Sequence, residues 1–254
     1  MIELLILTSC INPPKQSFLK LADSTERLAQ TIESLKFYIS SNAVKNIVLC
    51  DGSGFDFSHT NIAHLTKSKD INVEILSFVQ DFSSVSERGK GYGEGEIMAH
   101  IVKYSKLFEK CQYFVKVTGR LKIDNIFVLS QKMDFSKTYF NVYPSRYIGC
   151  VDTRLYGMKT ADYVKYFILA YKNVNDSLRM SYEFCFTDII RINSLPICYF
   201  PEVPKIFGIS GTNNRAYKLD AVYYAECILT KMHIMNSRFA SYTILLVRTI
   251  SKLF

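Results

Sequence analysis

The first apolar run, IELLILTS at residues 2–9, has strand length and almost no polar alternation, which predicts a strand buried on both faces of a parallel sheet. Between Ala22 and Ser41 the period changes. Leu28, Ile32, Leu35 and Ile39 recur at helical spacing, and Asp23 with Glu26 three residues on has the form of a capping box. KNIVLCDGSG then reads as a second strand ending in an Asp-Gly turn, HTNIAHLTKS as a short helix and INVEILSFV as a third strand. EIMAHIVKYSKLFEK predicts a helix with Ile97, Ile101, Tyr104 and Phe108 inward, and QYFVKVTGR a fourth strand. Strand and helix alternate, so the expected fold is α/β, a Rossmann-type, mainly parallel sheet with helices on both faces. Ligands of such sheets sit at the carboxyl ends of the strands. Those ends carry Thr8-Ser9, Asp51-Gly52-Ser53 and Thr118-Gly119-Arg120.

The second half is less regular. KTYFNVY, YIGCV and LPICYF read as strands, ADYVKYFILAYKNV and SYEFCFTDIIRI as helices, and GISGTNNRAY as a turn-rich segment before a helical tail. The expected division is a domain over 1–217 and a basic amphipathic helical extension over 218–254.

SERGKGYGEGE, residues 86–96, places glycine at 89, 91, 93 and 95, four of the eleven in the chain. Such density predicts a loop that approaches a ligand closely, with Arg88 and Lys90 supplying charge and Glu94 or Glu96 meeting hydroxyls. Neither dinucleotide nor P-loop spacing fits: Glu96 stands where GxGxxG needs its third glycine, and GxxxxGK[ST] is absent.

KGYGEGE, a helix and YFVKVTGRL, followed by VDTRLYGMKTADYV, YEFCF and IFGISGTNNRAY, resemble bacterial nucleotide-sugar glycosyltransferases that build O-antigen and capsule repeat units. The resemblance runs from about Ile2 to Tyr217 and implies a GT-A-like fold, a nucleotide-binding half and an acceptor-binding half. In that architecture the first strand ends, here Thr8, Ser9 and Asp51, hold base and ribose. GT-A enzymes usually hold a divalent metal on an Asp-x-Asp motif, and no Asp-x-Asp occurs in this chain. The leaving diphosphate then needs other cations. The candidates are Arg88, Lys90, Lys116, Arg120 and Arg154, with Arg120 favoured for its fork and for the Thr118-Gly119 turn before it. Lys116 also reads as an edge-strand lysine snorkelling to water. Mn²⁺ or Mg²⁺ on isolated carboxylates such as Asp152 is the alternative. Gly91 and Gly93 would bring backbone to the donor, and Ser210, Gly211 and Thr212 would close over the diphosphate. For the base that takes the acceptor proton, the candidates are Glu183, at a helix start among aromatic residues, Asp152, and more weakly Asp188.

Composition narrows the classes. At 48% hydrophobic and 21% charged, 254 residues suffice for one globular domain with an appendage. The seven cysteines are scattered, without a CxxC pair, which predicts reduced thiols rather than a disulfide framework, and four dispersed histidines supply no zinc pattern. MIELLILTSC lacks the basic leader of a signal peptide, and no run approaches the length of a membrane span. The net charge is +8, and the stretch from Arg215 to Phe254 carries six basic and two acidic residues. That tail predicts attraction to an anionic membrane surface, matching the polyprenyl-diphosphate-linked glycan acceptor and the cytoplasmic, inner-face location implied by the resemblance. A nucleotidyl- or phosphotransferase would need paired magnesium carboxylates. A basic nucleic-acid-binding protein would draw on the aromatic residues, but no RNA- or DNA-binding pattern is present, so nucleic acid is not expected as a partner.

Overall fold

A computed structural model describes residues 1–14, 21–60, 62, 71–144, 148–211, 214–217, 219–232, 234 and 238–250. Its centre is a six-stranded sheet in the order β3-β2-β1-β4-β7-β6. β1 (Ile2–Ser9), β2 (Val44–Asp51), β3 (Asn72–Ser77) and β4 (Tyr113–Thr118) are parallel, and β7 (Ile148–Lys159) and β6 (Tyr139–Pro144) join antiparallel. The unbroken apolar run of β1 has a simple cause. Leu5 and Leu7 enter one core with Leu35, Tyr38 and Val115, while Leu4 and Ile6 enter the other with Met98, Phe114 and Phe186.

α1 (Ser24–Ile39) covers the first face. Asp23 caps it, accepting from the Glu26 N–H at 2.7 Å. Its inner face is partly polar: Ser34 Oγ and Tyr38 Oη both donate to the Leu121 carbonyl, at 2.9 and 3.0 Å, fixing the turn that follows β4. After that turn come the short β5 (Lys122–Ile123) and α5 (Ile126–Lys132).

The glycine run departs from expectation. α2 (Phe82–Arg88) ends at Gly89, whose φ of +108° breaks the chain direction, and Lys90–Tyr104 is then a continuous helix, α3. The glycines belong to helix packing rather than to a loop. A Cβ on Gly91 would lie 2.7 Å from the Tyr182 side chain, on Gly93 2.8 Å from Gln80, and on Gly95 2.0 Å from Tyr171. Gly95→Ala is therefore expected to destabilise the fold by about 2 kcal/mol despite alanine's better helix propensity, because tightly packed sites tolerate added volume badly. A chemical-denaturation midpoint at or above that of the wild type would contradict this.

α3 ends at Ser105, which caps the four-residue α4 (Lys106–Glu109) where one longer helix was expected. Glu74 of β3 draws the chain there, accepting from the Lys106 and Leu107 N–H groups at 3.0 and 3.2 Å. The Ala161–Val174 stretch is a series of short turns, Thr160–Asp162, Tyr163–Phe167 and Ala170–Asn173, rather than one helix. The segment 195–200 pairs only through a Tyr139–Cys198 bridge and is not a strand. The expected helix at 59–68 shows one turn, Phe57–His59, and mostly lies outside the described residues.

α6 (Tyr182–Ile192) forms as expected, with Ser181 accepting from the Phe184 N–H at 3.4 Å. Beyond β8 (Ile206–Phe207), which pairs with β5, the chain turns at 209–216 and ends in α7 (Ala221–Lys231) and α8 (Arg238–Ile250). Leu229, Ala240 and Ile244 form a small apolar cluster between these last two helices.

Candidate functional site

A cleft of about 320 Å³ opens at the carboxyl ends of β1 and β4. β1 contributes Thr8, Ser9 and Cys10; β4 and its turn give Thr118 and Arg120; α1 adds Arg27. From the other face come Lys90, Gly93 and Glu94 of α3, Thr153 and Arg154 of β7, and Glu183 of α6. Ser210, Gly211 and Tyr217 line it from the late turn. Thr212 lies outside the described residues.

One end is cationic. Arg27 and Arg120 are 6% and 9% exposed, and neither has a carboxylate within ion-pair distance among the described residues. Arg27 donates to the Cys10 and Leu21 carbonyls at 2.6 and 3.0 Å. Arg120 Nη1 donates to Gln30 Oε1 at 3.0 Å and to the Ile209 carbonyl at 3.3 Å. These carbonyls orient the guanidinium groups without cancelling their charge. Burial pushes the Arg27 pKa down; burial, then the field of Arg27, pushes Arg120 to about 10. Ser9 Oγ is buried beside them without a hydrogen-bond partner among the described residues. Two buried like charges cost free energy until an anion arrives.

The other end holds carboxylates. Lys116 is 0% exposed in central β4, so the expectation of a snorkelling edge lysine is wrong. Its three N–H groups meet three acceptors, as an ammonium requires: Glu94 Oε1 in direct contact, the Thr153 carbonyl at 2.8 Å and Thr118 Oγ1 at 3.4 Å. Burial pushes its pKa down, while the fields of Asp152 and Glu183 oppose that push. The hydroxyls of Thr8 and Thr118 lie 3.5 and 3.4 Å from the same Glu94 oxygen. Thr153 belongs to an irregularity in β7, where Phe140 pairs with Tyr156 but Asn141 with Asp152. Such a bulge frees backbone groups from the ladder and re-aims side chains. Here Thr153 gives its carbonyl to Lys116 and its hydroxyl to Glu183 Oε1 at 2.9 Å. Lys116→Met is expected to cost about 3–5 kcal/mol, the usual result of leaving one partner of a buried pair uncompensated, measured by urea denaturation. A loss below about 1 kcal/mol would contradict the pairing.

Several expected site residues serve elsewhere. Asp51 is 0% exposed, and its carboxylate accepts from the N–H groups of Ile11 and Ser53, each at 2.8 Å, and of Phe55 at 3.3 Å. It fixes the loops after β1 and β2 and has nothing to offer ribose. Arg88 donates to the Val174 carbonyl at 3.1 Å and to that of Lys172, and stacks on Tyr92, away from the cleft. Gly91 faces Tyr182, and Gly119 gives its N–H to the Thr8 carbonyl at 2.8 Å, so neither lines the cleft. Glu96 and Asp188 do not line it either. Asp152, 1% exposed, lies beneath the cleft wall and grips Arg154: Nε reaches Oδ1 at 3.0 Å and Nη2 reaches Oδ2 at 2.7 Å. It positions Arg154, whose guanidinium sits 4.7 Å from the Tyr217 ring centre.

Sequence reading missed Arg27 and Tyr217 altogether. Arg27 recurs with Thr31, Ser34 and Tyr38 at helical spacing, a polar stripe on a helix that needs another face for solvent, and that was the available signal. The donor set does not suit a divalent cation. Glu94 is committed to Lys116, Asp152 to Arg154, and no cluster of three metal-ligating side chains occurs among the described residues.

No protein-family model matches the chain, and no curated protein matches it. Among solved structures, a nucleotide-diphospho-sugar transferase from Desulfovibrio desulfuricans G20 superposes with a TM-score of 0.46 at 8% identity, over 78% of each chain. A nucleoside-diphosphate-sugar pyrophosphorylase from Vibrio cholerae RC9 gives 0.46 at 11% identity, over 77% of this chain and 90% of the other. At that degree of superposition neither match bears on the chemistry.

Proposed function

We propose that the cleft binds a nucleoside-diphosphate sugar and transfers the sugar to an acceptor hydroxyl, as a glycosyltransferase of surface-polysaccharide assembly. The observation that carries this reading is the cleft's division. Two buried guanidinium groups without carboxylate partners among the described residues stand at one end, and carboxylates held by Lys116 and Thr153 at the other. A diphosphate suits the first end, where bidentate guanidinium groups replace its water, and a polyol suits the second, where carboxylates accept from hydroxyls.

In the reaction the acceptor oxygen forms a bond to the anomeric carbon while the bond from that carbon to the diphosphate oxygen breaks. The electron pair leaves on the diphosphate, where Arg27 and Arg120 stabilise the developing charge. The acceptor proton passes to Glu183, held at the start of α6 by Thr153. Lys116 holds Glu94 in place against the donor sugar. We assign the Arg154–Tyr217 side to the acceptor, and infer a lipid-linked glycan as its class from the net-basic segment that follows Tyr217.

A thermal-shift panel of UDP, GDP, CMP and dTDP in EDTA tests the binding half of this reading. At a hundredfold excess over Kd, one of the diphosphates is expected to raise the midpoint by about 5 °C or more. A shift that required Mn²⁺ would overturn the arginine-only diphosphate site, and no shift with any of them would overturn the donor assignment.

A further inference from the structure

Seven of the seventeen large apolar side chains that remain exposed among the described residues lie on the last two helices. Tyr224, Ile228 and Met232 recur every fourth residue along and just past α7, and Phe239, Tyr242, Leu246 and Ile250 follow helical spacing along α8. They are 47–71% exposed, while Leu229, Ala240 and Ile244 on the inner sides are at most 3% exposed. Each helix therefore has an apolar face already used in folding and a second one outside. A helix docked on a domain needs only the first.

Charge selects what covers the second. From residue 219 onward the sequence carries Lys231, Arg238, Arg248 and Lys252 against Asp220 and Glu226. The segment has a net positive charge, so two copies of it would repel each other, whereas an anionic lipid surface would attract it. α7 and α8 have 11 and 13 residues, and no described helix is long and apolar enough to cross a membrane. Aromatic and aliphatic side chains on two short helices, the second of them basic, suit the boundary between headgroups and acyl chains.

We propose that the α7–α8 pair docks the protein in the plane of an anionic bilayer, with its outer stripes in the acyl boundary. The docking is independent of what the cleft transfers. Its bearing on the acceptor does rest on the glycosyltransferase reading: α8 packs against β6, the strand next to the β7 strand that carries Arg154.

The chain contains no tryptophan, so Leu246→Trp introduces a single fluorophore on the outer stripe of the full chain. With vesicles of mixed phosphatidylglycerol and phosphatidylcholine, its emission is expected to shift to the blue and the protein to co-sediment. Phosphatidylcholine alone should capture far less. Phe239→Glu with Leu246→Glu, both exposed, should lower partition into anionic vesicles more than about tenfold without changing the thermal midpoint. Emission unaffected by vesicles would overturn the proposal. So would a doubled mass in light scattering that the glutamate pair abolishes, since that result assigns the stripes to a second copy.

Discussion

Arg27→Met combined with Arg120→Met is expected to weaken nucleoside-diphosphate binding severely while leaving the thermal midpoint of the unliganded protein nearly unchanged. Each guanidinium loses charge-assisted hydrogen bonds worth about 1.5–3 kcal/mol, so the pair should weaken binding by roughly 10²–10⁴-fold in titration calorimetry. The stability half separates ligand binding from a structural role. Both arginines are buried and neither has a carboxylate partner among the described residues, so an apolar side chain of similar length removes a desolvation cost along with the carbonyl hydrogen bonds. Functional residues that oppose stability behave in this way. A large fall in the midpoint with undiminished binding would make the arginines structural struts.

Glu183→Gln should act on the chemical step. Glutamine keeps the shape of the side chain and can still accept from Thr153 Oγ1, which now lies 2.9 Å from Glu183 Oε1. What it loses is the ability to take a proton, and removing a general base costs about 10²–10⁴ in rate. Release of nucleoside diphosphate from the sugar nucleotide, followed with acceptor present, should fall by that range in kcat while the Kd for the diphosphate stays within about twofold. An equal loss in the Asp152→Asn variant, whose amide oxygen still accepts from Arg154 Nε while its NH₂ gives up the Nη2 contact, would be a different result. Asp152 would then be more than the positioning residue its 1% exposure makes it.

The parallel half of the fold was legible because burial on both sheet faces leaves a plain mark, an apolar run between amphipathic helices, as in β1 and β2. The placement of Arg120 and Thr118 at the cleft was legible for the same reason, since both follow the end of a parallel strand. The glycine run misled because glycine serves two needs that look alike in sequence. A loop needs its backbone freedom, and a crowded helix needs its missing side chain. Only the approach of Tyr171 and Tyr182, far away in the chain, decides between them. Asp51 misled in a related way. A carboxylate at a strand end can meet ribose or close a turn, and the N–H groups of Ile11, Ser53 and Phe55 settle the choice through loop geometry that local sequence does not carry. Lys116 was legible as a candidate cation, but its pairing with Glu94 was not, because its partners Glu94 and Thr153 come from a helix and a bulge on opposite sides of it in sequence.

The most direct measurement is a crystal structure of the protein with the best-stabilising nucleoside diphosphate, grown in EDTA. The diphosphate is expected within hydrogen-bond distance of the Arg27 and Arg120 guanidinium groups, beside the Ser9 hydroxyl that no described residue engages, with space for a sugar between Glu94 and Glu183. A diphosphate seated away from both arginines, or bound only when a divalent cation bridges it to Glu94 or Glu183, would contradict that site.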